Sequence, residues 1–366
     1  MQLGRRQQVL TAGAAFVAMA LSLAACSSSS SSSSTTTPST SASSSSSAAA
    51  LSGTLDGSGS TFQTTFQEAA ISAFKSVQPG MTVVYGSGGS GKGRSDLASN
   101  VVQYAGSDSP IPSSEASTFK GTVLYFPVVI GPITVSYNLS GLSKPLNLDP
   151  KTIAEIFEAK ITTWNNAAIA ADNPGVTLPS TTITIARRSD SSGTTQNFTK
   201  FLVEGAGSAW TLGSASTVNW PAASRGGNGN GGVASIVKST PGAIGYVDYA
   251  DAKASGLTFA NVKNSSGNYV APSPASATAA ADSVTAAANL TFSAIWASGA
   301  QAYPITYQSW VLCYETQSST NVAAMLKAYI GYLLGPGQQL LPSLGYAPLP
   351  SSLDSMATSQ LSKIGM

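Results

Sequence analysis

Short segments that alternate apolar and polar residues recur along the chain, separated by segments with helical apolar spacing. The alternating segments predict strands at residues 81–85, 103–106, 124–130, 133–137 and 183–185, within 241–247, and at 304–307 and 310–312. The helical spacing predicts helices near 62–76, 94–100, 152–157, 198–202, 233–238 and 322–334, and one within 271–288. Because strands alternate with helices, the pattern favours an α/β fold with a largely parallel sheet.

The largest cluster of polar residues lies just after the predicted strand at 183–185, in the turn that leads into the next helix. The polar residues of this turn include Arg188, Asp190, Ser192, Gly193 and Thr194. A helix N-terminus offers unpaired N–H groups and the positive end of a dipole, and an arginine fork matches a tetrahedral oxyanion. Two interpretations stay open for the stretch alone. It binds an anion, or Ser192 or Thr194 merely caps the helix while Asp190 pairs with an arginine.

Three further turns have the same character. Thr61 ends a glycine-rich turn before a helix, Ser90 lies in the glycine-rich segment 86–93, and Asp108 follows the strand at 103–106. Glycine nests and helix N-termini cradle anions, and ligands of open α/β sheets bind beyond the carboxyl ends of the strands. The simpler alternatives are helix capping by Thr61 and a turn-forming role for Asp108. Nucleotide hydrolysis by the 86–93 segment is disfavoured, because Gly93 stands where a P-loop needs Ser or Thr.

Two features of composition exclude whole classes of chemistry. The chain has no histidine, which rules out histidine-based triads, general bases and metal sites. After Cys26 the one remaining cysteine is Cys313, so the predicted mature chain has no intramolecular disulfide and no cysteine-based zinc site. Cys313 itself is predicted to be a buried strand residue. We therefore expect neither a metal nor a cofactor.

The N-terminal region indicates export. Residues 1–25 combine a basic start with an apolar run, and the Leu-Ala-Ala-Cys ending at Cys26 resembles a bacterial lipobox. This predicts a signal peptide at 1–25, a lipid on Cys26 and a location on the outer side of the cell membrane. The Ser-rich residues 26–50 are predicted to be a flexible linker. Without the leader, 16 basic residues face 16 acidic ones, so nucleic-acid binding is not expected.

Five motifs then occur in a specific order. They are Gly-Ser-Gly-Ser-Thr-Phe at 57–62, Gly-Ser-Gly-Lys-Gly at 89–93, Gly-Ser-Asp-Ser-Pro at 106–110, Arg-Ser-Asp-Ser-Ser-Gly-Thr at 188–194 and Gly-Ala-Ile-Gly-Tyr-Val at 242–247. Together they resemble the phosphate-specific substrate-binding proteins of bacterial ABC importers. The resemblance implies a type II periplasmic-binding fold, whose two lobes are sheets flanked by helices and joined by two crossover strands. Lobe I would comprise residues 51–130 and 307–366, and lobe II residues 131–306.

The resemblance also implies a ligand and its contacts. The phosphate-binding residues would be Thr61, Phe62, Ser90, Asp108, Arg188, Asp190, Ser192, Gly193 and Thr194. Phosphate at neutral pH carries a proton that the Asp108 carboxylate can accept in a hydrogen bond, whereas sulfate carries none. Two assignments stay open at this point: Ser90 rather than Ser87, and Arg188 rather than Arg187, the latter favoured by strand alternation.

A monomeric, non-enzymatic binding protein is implied, with the permease and ATPase subunits of an ABC importer as partners. Two alternatives remain. The same cleft could serve a surface phosphate sensor or adhesin, or a secreted phosphatase-like hydrolase could use one of the glycine-flanked serines. The missing histidines argue against the hydrolase.

Overall fold

Strands and helices alternate through most of the described chain. The computed structural model describes residues 50–366, so the predicted leader, Cys26 and nearly all of the predicted linker lie outside the described residues. The strands are β1 (Gly53–Gly59), β2 (Met81–Ser87), β3 (Tyr104–Ser107), β4 (Val123–Tyr137), β5 (Asn147–Leu148), β6 (Thr184–Arg188), β7 (Arg225–Gly227), β8 (Ala243–Asp248), β9 (Thr258–Phe259), β10 (Asn261–Lys263), β11 (Tyr269–Val270) and β12 (Thr306–Tyr314). The helices are α1 (Thr64–Phe74), α2 (Ser90–Ala98), α3 (Pro150–Phe157), α4 (Ala167–Asp172), α5 (Gly193–Ala206), α6 (Gly229–Ser239), α7 (Tyr249–Ala254), α8 (Pro274–Ala281), α9 (Thr320–Leu334), α10 (Leu341–Leu344) and α11 (Ser351–Gln360).

Nine strands form one curled sheet in the order β2-β1-β3-β12-β4-β8-β6-β7, with β9 paired to β4. Toward the two ends of this order the strands run parallel: β1 with β2 and β3, and β6 with β7 and β8. In the middle, β12 pairs antiparallel with β3 and β4, and β4 pairs antiparallel with β8. The α/β fold class is therefore confirmed. The prediction of a largely parallel sheet is wrong for its centre, because two long strands cross there in opposite directions.

The long strands β4 and β12 each replace two predicted strands. The sequence analysis breaks β4 at Gly131 and Pro132, but Pro132 pairs in register with Thr306 and the strand continues. Pro132 lies where β4 exchanges neighbours, since β12 pairs with β4 up to Pro132 and β8 pairs from Ile133 onward. A residue without an N–H is tolerated at such a change of partner. Local pattern alone cannot reveal this continuity.

The first glycine-rich segment is a strand where the sequence predicted a turn. β1 lies between β2 and β3, and its glycines permit close packing there. A Cβ on Gly57 would lie 2.1 Å from the ring of Tyr104, and one on Gly59 would lie 2.2 Å from the carbonyl oxygen of Gly106. The close approach of the neighbouring residues therefore requires glycine at these two positions of β1, although glycine has a low strand propensity.

The core lies along the crossing strands and the helices packed on them. Its most buried large side chains include Trp164, Tyr104, Tyr137, Tyr246, Tyr303, Tyr307, Tyr329, Phe62 and Phe66. Cys313 is fully buried in β12, which confirms its predicted role as a core residue. Helices α4, α7, α10 and α11 were not predicted from the sequence. Within residues 50–366, no helix combines the length and the apolar character needed to cross a membrane.

Candidate anion-binding site

One side of the site is a buried aspartate surrounded by hydroxyl groups, which we call the carboxylate cluster (Ser60, Ser90, Asp108 and Ser309). Asp108 directly follows β3, and its side chain is almost fully buried. Oδ1 accepts hydrogen bonds of 2.5 Å from Ser60 Oγ and 2.5 Å from Ser309 Oγ. Oδ2 accepts a hydrogen bond of 3.1 Å from Ser90 Oγ, and Ser90 Oγ accepts one from the Asp108 N–H. The carboxylate is therefore held by neutral donors from three separate segments.

Burial dominates the electrostatics of this carboxylate. Removal from water raises the pKa of Asp108 above its ordinary value, while the hydroxyls of Ser309, Ser60 and Ser90, and the more distant charge of Arg188, oppose that rise. A carboxylate in this position is a strong acceptor for a ligand proton. It repels an anion that has no proton to donate.

The opposite side is the arginine cluster (Arg188, Asp190 and Thr194). Arg188 ends β6 with its side chain buried, and Nε donates to Asp190 Oδ1 over 2.8 Å while Nη2 donates to Asp190 Oδ2. Nη1 donates to Thr194 Oγ1 over 3.3 Å. The N–H of Gly229, in the first turn of α6, also donates to Asp190 Oδ1. Asp190 thus holds the guanidinium in one orientation.

The charges within the arginine cluster shift both pKa values. Burial alone would lower the pKa of Arg188, but the hydrogen bonds and charge of Asp190 outweigh it and raise that pKa. Burial alone would raise the pKa of Asp190, but the bonds and charge of Arg188 lower it. Both groups therefore remain ionised at neutral pH, and their pair presents little net charge.

Arg187 and Arg188 point to opposite faces of β6. Arg187 bonds to Ser224 Oγ and to the carbonyl of Arg188, away from the arginine cluster. Ser90 and Ser87 are likewise separated, because Ser90 is buried against Asp108 whereas Ser87 is exposed at the end of β2. Strand alternation predicted the side on which Arg188 lies.

The first turn of α5 brings Ser192, Gly193 and Thr194 to the site. The hydroxyl of Ser192 accepts a hydrogen bond from the Thr195 N–H, so Ser192 does cap this helix. Both contacts of the simpler interpretation, the cap and the Asp190–arginine pair, are therefore present. They do not compete with an anion site, because the leading N–H groups of a helix stay unpaired within it.

Thr61 and Phe62 lie between β1 and α1. The Thr61 hydroxyl accepts a hydrogen bond of 3.1 Å from Asn230 Nδ2. The Phe62 N–H donates to Ser60 Oγ over 3.1 Å, and its ring is buried against Tyr307 and Tyr346. Phe62 is thus anchored in the core while its backbone lies beside the carboxylate cluster.

The chain segments that carry the two clusters are in direct contact. A Cβ on Gly193 would lie 2.4 Å from Ser90 Oγ and 2.6 Å from Asp108 Cβ, so only glycine fits between them. Asn197 Nδ2 donates to the Asp108 carbonyl over 2.6 Å, and the Gly91 N–H donates to the Ser191 carbonyl over 3.1 Å. All nine residues predicted from the sequence therefore lie in this one region.

Three polar residues of the site were missed by the sequence analysis. Ser60 and Ser309 bond to Asp108, and Asn230 donates to both Thr61 Oγ1 and Thr194 Oγ1. The glycine-rich run at 226–232, which forms a strand-to-helix turn like the others, was the available signal for Asn230. Ser309 lies within an apolar strand 201 residues from Asp108, and no local pattern marks it.

Comparison with protein families gives one match across most of the chain. Residues 39–336 match the model of the PBP superfamily domain. Among curated proteins, phosphate-binding protein PstS 3 of Mycobacterium tuberculosis is 34% identical over 322 residues, which are 85% of this chain and 86% of that protein. Phosphate-binding protein PstS of Xylella fastidiosa is 36% identical over 282 residues, which are 75% of this chain and 76% of that protein.

Solved structures share the fold at lower sequence identity. A high-affinity periplasmic phosphate-binding protein (PfluDING) bound with phosphate has a TM-score of 0.70 at 21% identity, covering 84% of this chain and 94% of its own. A phosphate-binding protein from Stenotrophomonas maltophilia has a TM-score of 0.66 at 19% identity, covering 84% of this chain and 93% of its own. At these identities the likeness concerns the fold alone.

Proposed function

We infer the function of this chain from its family and its site: the chain belongs to the PBP superfamily and, within it, to the phosphate-binding proteins named PstS. It binds inorganic phosphate outside the membrane and serves phosphate import by an ABC transporter. Its relatives are named as binding proteins. Its site combines several hydrogen-bond donors with one buried carboxylate acceptor, as the binding of a protonated anion requires.

The observation that carries this function is the buried Asp108 carboxylate amid donors. Hydroxyls, helix N-termini and the Arg188 fork supply donors to the oxygens of an anion. Asp108 is an acceptor among them, and it pairs with an oxygen that carries a proton. Phosphate at neutral pH has such an oxygen and sulfate does not, so burial of this carboxylate favours phosphate.

The individual contacts are part of the proposal. Asp108 accepts the phosphate proton, Arg188 donates from its Nη1 and Nη2 edge, and Asp190 holds the arginine in place through Nε and Nη2. The remaining contacts are with Thr61, the Phe62 N–H, Ser90, Ser192, Gly193 and Thr194. Their common location beyond the carboxyl ends of β1, β2, β3 and β6 supports these roles.

We also propose the lobe limits that the resemblance implied, with lobe I at 51–130 and 307–366 and lobe II at 131–306. The strand order supports this division. The parallel strands around β1 lie on one side of the crossing pair β4 and β12, and the parallel strands around β6 lie on the other. The carboxylate cluster then belongs to the first lobe and the arginine cluster to the second. Closure of the lobes would enclose the anion between the two clusters.

Attachment and partners complete the proposal. Cleavage before Cys26 and lipid attachment to its sulfur would anchor a monomer to the outer side of the cell membrane. There it would deliver phosphate to the permease subunits of an importer driven by its ATPase subunits. The apolar run that ends in Leu-Ala-Ala-Cys supports the anchor. Metabolic labelling with a palmitate analogue tests it, and a Cys26→Ser chain is expected to remain unlabelled.

A calorimetric titration tests the binding function. Phosphate is expected to bind stoichiometrically, with an affinity that a large excess of sulfate leaves nearly unchanged. Equal competition by sulfate would contradict the discrimination that we assign to Asp108. Absence of any phosphate binding would contradict the function itself.

A further inference from the structure

A chain of buried hydrogen bonds runs from helix α9 to Asp108. Tyr329 OH donates to Gln67 Oε1 over 2.6 Å, and Gln67 Nε2 donates to Gln63 Oε1 over 2.9 Å. Gln63 Nε2 donates to Ser309 Oγ over 2.7 Å, and Ser309 Oγ donates to Asp108 Oδ1 over 2.5 Å. We call these four residues before Asp108 (Tyr329, Gln67, Gln63 and Ser309) the relay. All four are buried.

One backbone carbonyl fixes the direction of every bond in the relay. Gln63 Nε2 also lies 2.9 Å from the carbonyl oxygen of Trp310, which can only accept. The amide nitrogen of Gln63 must therefore face Ser309, and its Oε1 must accept from Gln67. Since Gln67 Nε2 donates to Gln63, Gln67 Oε1 is the atom that accepts from the Tyr329 hydroxyl. Since Ser309 Oγ accepts from Gln63, it donates its own proton, and Asp108 Oδ1 at 2.5 Å is a nearer acceptor than the Ser107 carbonyl at 3.3 Å.

The strand pairing beside Ser309 is irregular, because Val128 of β4 has no partner in β12. The pairing of β12 with β4 shifts register between Ser309 and Trp310. Bulges re-aim side chains, and they recur beside functional sites. Next to this irregularity, the Ser309 hydroxyl donates to Asp108 and the Trp310 carbonyl accepts from Gln63.

We propose that the relay positions Asp108 as a hydrogen-bond acceptor and thereby sets the preference of the site for an anion that carries a proton. This inference rests on the phosphate-binding function proposed above. A row of hydrogen bonds that all donate in one direction polarises each member, and the last donor stabilises negative charge on the carboxylate. Ser309 and Gln63 are thus positioning residues for selectivity, although neither is proposed to touch the ligand.

The surroundings of Asp108 supply little positive charge, so the hydroxyl donors strongly influence its pKa. Burial raises the pKa of this carboxyl, and Tyr85, Tyr307 and Tyr346 are uncharged neighbours that offer it no positive charge. Among the described residues, Arg188 is the one charged group that shifts the pKa of Asp108, and its charge is largely matched by Asp190. Loss of the Ser309 hydroxyl therefore raises the pKa of Asp108 further. A protonated Asp108 could donate to sulfate, so selectivity should decline.

The test compares Ser309→Ala with Ser136→Ala in the full chain. Ser136 is also a fully buried strand serine, but its hydroxyl pairs with Thr134 Oγ1 and not with Asp108. Phosphate and sulfate dissociation constants are measured by calorimetry across a pH series. We expect Ser309→Ala to weaken phosphate binding about tenfold and to narrow the sulfate-to-phosphate ratio. The acid side of its pH profile should move to higher pH, while Ser136→Ala follows the wild type.

A second variant keeps the proposal testable if Ser309→Ala does not fold. Tyr329→Phe removes only the first donor of the relay, so the same shifts are expected at about two- to threefold. If the folded variants keep the wild-type sulfate-to-phosphate ratio and the wild-type acid side of the pH profile, the proposed role of the relay is wrong. A wild-type chain that fails to bind phosphate would instead overturn the function on which the relay rests.

Discussion

The two aspartates of the site have opposite environments. Asp108 in the carboxylate cluster is bound by neutral hydroxyls, and burial raises its pKa. Asp190 in the arginine cluster pairs with a guanidinium, and that pair lowers its pKa. The same side chain therefore acts in one place as a poised acceptor and in the other as an anchor for a cation. The chemistry of each carboxylate depends on its partners.

The largest expected effect comes from the cation of the arginine cluster. Arg188→Ala leaves Asp108 and Asp190 facing the anion without a positive charge, so phosphate affinity should fall on the order of a thousandfold. Arg187→Ala is the matched control, because Arg187 lies on the other face of β6. Calorimetric titration of both variants checks this. The reverse order of effects would show that the wrong arginine has been assigned to the ligand.

The next effect separates the two aspartates by selectivity. Asp108→Asn replaces the acceptor by a group that can donate to either anion, so phosphate binding should weaken by about 1–3 kcal/mol and sulfate should bind better. Asp190→Asn should alter the sulfate-to-phosphate ratio far less, since Arg188 keeps its bond to Thr194. Competition titrations measure both ratios. Equal changes in the two variants would remove the distinction between the aspartates.

A smaller effect is expected where the clusters meet. Gly193→Ala introduces a Cβ that would lie 2.4 Å from Ser90 Oγ, so the clusters must separate and phosphate affinity should fall about tenfold. Gly231→Ala is a matched control in the first turn of α6, where an added Cβ has no neighbouring atom of the described residues within 4 Å. Titration together with thermal unfolding distinguishes lost binding from lost folding. Similar affinities in the two variants would mean that this contact is not needed for binding.

The smallest effect is on stability without ligand, and its sign differs between the aspartates. Asp108 has a raised pKa, so its charge destabilises the folded state above that pKa, and Asp108→Asn should raise Tm on the order of 2 °C near neutral pH. Asp190 has a lowered pKa, so Asp190→Asn should lower Tm near neutral pH.

Both differences from the wild type should shrink as pH falls through the pKa of each aspartate, because the wild-type carboxyl then becomes neutral like its replacement. Scanning calorimetry in phosphate-free buffer across this pH range measures them. Shifts of the same sign for the two variants would contradict the contrast between the clusters.

The amino-acid sequence by itself determined the parts of this protein that depend on near neighbours. The turn from β6 into α5 brings Arg188 to Thr194 together within seven residues, and strand alternation selects Arg188 over Arg187. The helical spacing at 322–334 and the apolar surroundings of Cys313 were likewise sufficient. These features follow from local periodicity and local hydrogen bonding.

Only the tertiary structure decided the features that depend on partners distant in sequence. The continuity of β4 through Pro132 depends on β12 and β8, and the strand form of β1 depends on its position between two neighbours. Ser309 meets Asp108 because β12 returns beside β3. Such contacts form only when residues that are distant in sequence come together in the folded chain. The local sequence pattern around one residue therefore does not predict which distant residue it will contact.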